Sequence, residues 1–315
     1  MVRSVAGETR GDGRSRIRRA VLALGPFFVL GSVLVGLFLT SPFGNVEELA
    51  TADTLSLLWM LTIVGLFAGT IPVLIGMLWY PFLRSLEARW IHAVLALSVG
   101  VLTFAGYEMV GGIVDNAAGT PVRGSAVAVV GVVGAFWALS RVSEWRYRKI
   151  DESGSGEAMQ VAYLIAIGLG LHSIGEGLAI GTAFVQGEGR LVTLLVIAFM
   201  LDNVTEGPTI VAAIASERER PPIHQFVALG AIAGGPLVLG GWIGSFALSP
   251  LVAALFFAIG LGAIAQVVWE VTRFIGFRSG NSMRAAITRL NAATFVLGVA
   301  IMIVVDEIVI DMLLL

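Results

Sequence analysis

Long apolar runs, broken by short polar punctuation, cover most of the chain. A run of about 20 apolar residues suffices to cross a bilayer as a helix. On that criterion the pattern predicts nine spans, at 20–39, 56–80, 91–114, 122–142, 158–185, 190–215, 224–246, 250–275 and 288–312. The fold class expected is therefore all-α, a polytopic transmembrane helix bundle. The connections are short, and none has room for a soluble domain. The longest inner one, 143–157, contains DESGSGE and reads as a flexible cytoplasmic linker dividing an early group of spans from a late one. TIPVLIG (70–76) echoes GGPLVLG (234–240) with Pro72 and Pro236 in register. The two lie in spans of opposite direction, as an inverted repeat requires.

Charge orients this bundle. Basic residues collect on the cytoplasmic side of membrane proteins. With the N-terminus in the cytoplasm, 18 of the 20 Lys and Arg fall in inner segments. Only Arg123 and Arg190 fall outside. The residues 1–19 form a basic cytoplasmic tail, and the C-terminus is placed outside the cell membrane. Arg14, Arg16, Arg18 and Arg19 before an apolar stretch imitate a signal peptide, but 20–39 is too long for one and is read as an uncleaved first span.

Composition sharpens the picture. The chain is 57% hydrophobic and 13% charged, against roughly 25% charged in soluble domains. Its net charge of −2 offers no nucleic-acid footprint. No cysteine is present, which removes disulfides and thiolate ligands.

Candidate chemistry sits in two adjacent spans. Charge deep in a span must face a partner, a metal or water. The fifth span carries His172 and Glu176 on one helix face, with Ser173 beside them, in GLGLHSIGEGLAIG. The sixth carries Asp202 and Glu206 at the same spacing, with Asn203 and Thr205 between, in FMLDNVTEGPTIV. A short turn joins the spans, so the clusters meet at similar depth. Gly175 and Gly177 flank Glu176, and Pro208 frees the carbonyl of Val204. One imidazole with carboxylates is a nitrogen–oxygen set suited to Zn²⁺, Mn²⁺, Fe²⁺ or Co²⁺. The plainer reading is a buried structural ion pair.

HSIGEG and DNVTEGP resemble the fourth- and fifth-helix signatures of the ZIP family of zinc–iron permeases, and FAGTIPVLIG resembles its first helix. The resemblance implies an eight-helix transporter domain over 55–315, with 20–39 as an extra N-terminal helix. It implies His172, Glu176 and Glu206 as ligands to a transported divalent metal, zinc first, with no organic cofactor. Asp202 stands where the family has His or Gln and can still bind metal as a carboxylate, Asn203 stands where an acid is usual and is a weaker ligand, and Ser173, on the pathway, stands where Asn is usual. Gly235 replaces the Glu that often precedes the sixth-helix proline, which favours one metal over two. The family is often homodimeric.

Other polar residues have plainer expectations. Glu108 is an entrance ligand or an interfacial carboxylate. Glu270 shares a face with Gln266 but is read as hydrated near the inner boundary. Asp306, Glu307 and Asp311 meet outer water, and His92 and His224 are interfacial. Two functions compete with transport: an intramembrane metallohydrolase, disfavoured because HExxH is absent, and a metal sensor that keeps the fold without moving ions.

Overall fold

The computed structural model describes residues 19–33, 35–36, 53–151, 157–187, 189–215, 220–246, 249–280 and 282–314. These fold as helices α1 (Arg19–Val33), α2 (Thr54–Leu83), α3 (Ala88–Ala117), α4 (Pro121–Asp151), α5 (Glu157–Val185), α6 (Gly189–Ala215), α7 (Ile223–Gly244), α8 (Pro250–Gly280) and α9 (Arg289–Leu314). No strand occurs among the described residues. Each predicted span has a helix. Seven of them, α2 to α8, are long and apolar enough to cross a membrane. The described apolar stretches of the first and last, Arg19–Val33 and Arg289–Val304, are shorter. The tail 1–18 and the end of the first predicted span, 37–39, lie outside the described residues.

The linker expected at 143–157 is corrected. α4 continues to Asp151, because nothing from Val142 to Ile150 is a Gly or Pro that would stop it. Residues 152–156 of that linker fall outside the description.

Packing does not follow the order of the spans in the chain. α2 packs with α6 and α7, α5 packs with α6, α7 and α8, α3 packs with α8 and α9, and α4 packs with α8. α5 and α6 join the α2 side to the α3 side, α5 through α8 and α6 through α3 and α9. Small residues decide this arrangement, because in lipid helices gain by close packing rather than by hiding from water. A Cβ on Gly76 of α2 would fall on the Val204 carbonyl of α6, the one that Pro208 frees. A Cβ on Gly69 would meet the backbone of Gly234 in α7. α1 leans on the far end of α2, where Trp79 Nε1 donates to Ala23 O at 2.8 Å and the Phe27 and Trp79 rings stand 4.8 Å apart.

Both halves of the sequence echo are helix breaks. In α2 a π-turn at Leu66–Thr70 precedes Pro72. α7 is interrupted at Gly235, just before Pro236. The two breaks lie against each other at Gly69, Thr70 and Gly234. π-turns gather at functional sites, and the break in α7 adjoins the polar segment of α5 described next.

Candidate metal centre

α5 and α6 are antiparallel neighbours joined by a turn in which Gly187 takes φ 75°, a left-handed conformation open to glycine. The hairpin brings the two polar clusters to one level. His172 Nε2 lies 3.7 Å from Glu176 Oε1 and 3.8 Å from Asp202 Oδ2. One ligand atom from each of these three residues falls within 4.8 Å of the other two. The group is sealed inside protein, with none of the three more than 5% exposed.

These separations are informative. They are too long for hydrogen bonds. They are close to the edge of a tetrahedron of donors around zinc, about 3.4 Å for bonds of about 2.1 Å. An ion pair in which His172 carries the charge has the same reach, but it leaves the other polar atoms of the group unpartnered. Here His172 Nδ1 and Nε2, Glu176 Oε1, Asp202 Oδ1, Asn203 Oδ1 and Glu206 Oε2 are all buried without a hydrogen-bond partner. An unsatisfied buried polar group costs about 1–3 kcal/mol, and more when charged. Lone pairs gathered at one place are what a cation neutralises.

The remaining predicted residues take different positions. Glu206 is buried one turn beyond Asp202 on α6 but stands outside the group of three. Asn203 is fully buried, and its Nδ2 donates to Glu176 Oε2 and to Phe199 O, both at 2.9 Å. Ser173 turns toward α7, its Oγ 3.0 Å from Leu169 O and 3.2 Å from Ala233 O. Glu108 is exposed on α3 and stands outside the group, whereas its neighbour Met109 is buried against Gly175 and Gly260. At Gly235 a Cβ would fall 2.3 Å from Ala231 O, so a side chain there would require the bent backbone to shift.

Close backbone contact holds α5 in place. A Cβ on Gly177 would fall on Leu237 O of α7, and one on Gly240 would fall on Ile174 O of α5. The glycine beside Glu176 therefore serves packing as well as local looseness.

A second buried polar group was only half legible. Glu270, expected above to be hydrated, is instead buried and accepts from Ser143 Oγ of α4 at 3.2 Å. Gln160 Nε2 reaches Ser143 O at 3.5 Å. Gln266, one turn from Glu270, is buried with both amide ends unpaired. The spacing of Gln266 and Glu270 was a usable signal. Ser143 carried none, because its partners lie on α5 and α8.

At the helix ends, His224 is exposed and His92 pairs through Nδ1 with Ser279 Oγ at 3.0 Å. Glu307 is exposed and Asp306 half-buried, while the Asp311 side chain lies outside the description.

The protein is thus an all-helical, multi-pass bundle with a buried His–Glu–Asp group able to hold a metal. Known protein families and curated proteins provide no match to this chain.

Proposed function

We propose that this protein carries divalent transition-metal ions, zinc first, across the cell membrane through the site between α5 and α6. One observation carries the reading: imidazole and carboxylate atoms converge within 4.8 Å in a membrane helix bundle, and most are left without hydrogen bonds. The likeness of HSIGEG and DNVTEGP to zinc–iron permease signatures supports the same reading, as does the abutment of two helix breaks. In this reading α1 is the extra helix before an eight-helix transporter. The N-terminus is cytoplasmic and the C-terminus outside, following the distribution of basic residues. His172, Glu176 and Asp202 take the ion after it sheds part of its water, and Glu206 accompanies it one turn along α6. One set of helices then moves against the other to open the opposite face.

Zinc uptake into proteoliposomes tests this. The native chain should load zinc above protein-free vesicles, and Glu206→Ala should cut the rate by about tenfold or more. Uptake unchanged in Glu206→Ala would count against the site. The lost carboxylate at Gly235 favours the second reading, a metal sensor. Zinc binding with no flux in the native chain would select it.

A further inference from the structure

We propose that Asn203 is a positioning residue that keeps Glu176 a one-oxygen ligand and so limits the centre to a single cation. The inference rests on the metal reading above. Asn203 Nδ2 faces two acceptors, Glu176 Oε2 and Phe199 O, each at 2.9 Å. Only the amide nitrogen satisfies both, since the reverse placement would set Oδ1 against two other oxygens. The orientation is thus fixed by chemistry. Glu176 Oε2 is committed to this donor, and Oε1 is left unpaired, 3.7 Å from His172 Nε2.

A carboxylate that bridges two cations gives one oxygen to each. Here the second oxygen faces an N–H, and a cation placed there would meet the positive end of the amide. Neighbouring positions do not replace that arm. Ser173 directs its hydroxyl proton to carbonyls of Leu169 and Ala233. At Gly235 any side chain would press on Ala231 O. Asn203 also holds the Glu176 carboxylate in the rotation that sends Oε1 toward His172. A partner that orients a metal ligand is typically worth about 10–100-fold in affinity.

The test uses the purified full-length chain in detergent, titrated with Zn²⁺, with bound zinc counted per chain and its coordination read by X-ray absorption. The native protein should bind one zinc. Asn203→Leu should bind one about tenfold more weakly, with an added oxygen ligand as Glu176 turns both oxygens to the metal. Asn203→Asp, nearly isosteric, removes the donor and adds a carboxylate, and should admit a second zinc. Two zinc ions on the native chain would overturn the proposal, as would Asn203→Leu with native affinity and coordination. Should Asn203→Leu fail to fold, Asn203→Asp decides the matter, and one zinc per chain there would be the contrary result. A native chain that binds no zinc removes the centre itself. A native chain that binds one zinc while both variants behave like it removes only the role of Asn203.

Discussion

Helices α4 and α5 follow one another in the chain and differ in almost everything but length. α4 is the more apolar over its spanning window, yet only 17% of that window is buried in protein. α5 is less apolar and 78% buried. In water the order would be reversed. In a bilayer an apolar side chain gains little by leaving lipid, so Val129, Val130, Val133 and Trp137 of α4 stay on the outside. The polar side chains of α5 cannot stay there. His172, Ser173 and Glu176 have to be enclosed, and glycines let neighbouring backbones close around them.

The strongest test of this contrast is steric. Gly177→Leu in α5 should destabilise the bundle by about 3 kcal/mol or more, because its Cβ would overlap Leu237 O and stand 2.7 Å from Gly241 N. Gly134→Leu in α4 should be silent, since a Cβ there meets nothing within 4 Å. Thermal unfolding in detergent compares the two. Equal losses would mean that α4 is not peripheral.

The next test exchanges the solvents. Val133 lies mid-way along the α4 span and is 60% exposed. Val133→Asp puts a carboxylate against lipid and should cost about 3 kcal/mol of insertion free energy. Glycosylation-mapped insertion of α4 measures it. Normal insertion would show that this face meets protein or water instead.

The smallest effect belongs to a helix end in water, where neither lipid nor packing decides. Asp53 caps α2, accepting from Ser56 Oγ at 2.7 Å and from Ser56 N at 3.3 Å. These hydrogen bonds, that from the Ser56 hydroxyl first, hold its carboxyl below the ordinary value. A lowered folded-state pKa stabilises the cap above the unfolded value and loses that stabilisation as pH falls through the folded one. The protection of amides in the first turn of α2, measured against their intrinsic exchange rates, should be lower in acid than at neutral pH. Asp53→Ala should show the lower protection at both.

Much of this was readable beforehand because each signal was local. The apolar runs marked the helices to within a few residues at most ends, since hydropathy acts on one segment at a time. The i, i+4 spacing of His172 and Glu176 placed both on one face without any partner. The linker expected at 143–157 is shorter at its start because the flexible DESGSGE segment begins only at Asp151, and the residues before it suit a helix. Glu270 was misread because depth along a helix does not reveal what stands beside it.

The sequence by itself determined that this chain is a membrane helix bundle, and that ionisable groups are concentrated in two consecutive spans. Composition and periodicity suffice for both, because lipid requires every backbone polar group to be satisfied within its own helix. Only the tertiary structure decided which groups converge. It joined His172 and Glu176 to Asp202, set Glu206 outside that group, and turned Asn203 from a possible ligand into the donor that restrains Glu176. Those outcomes depend on how closely glycine-lined backbones approach and how helices rotate about their axes, and neither is written in the spacing of residues along one helix.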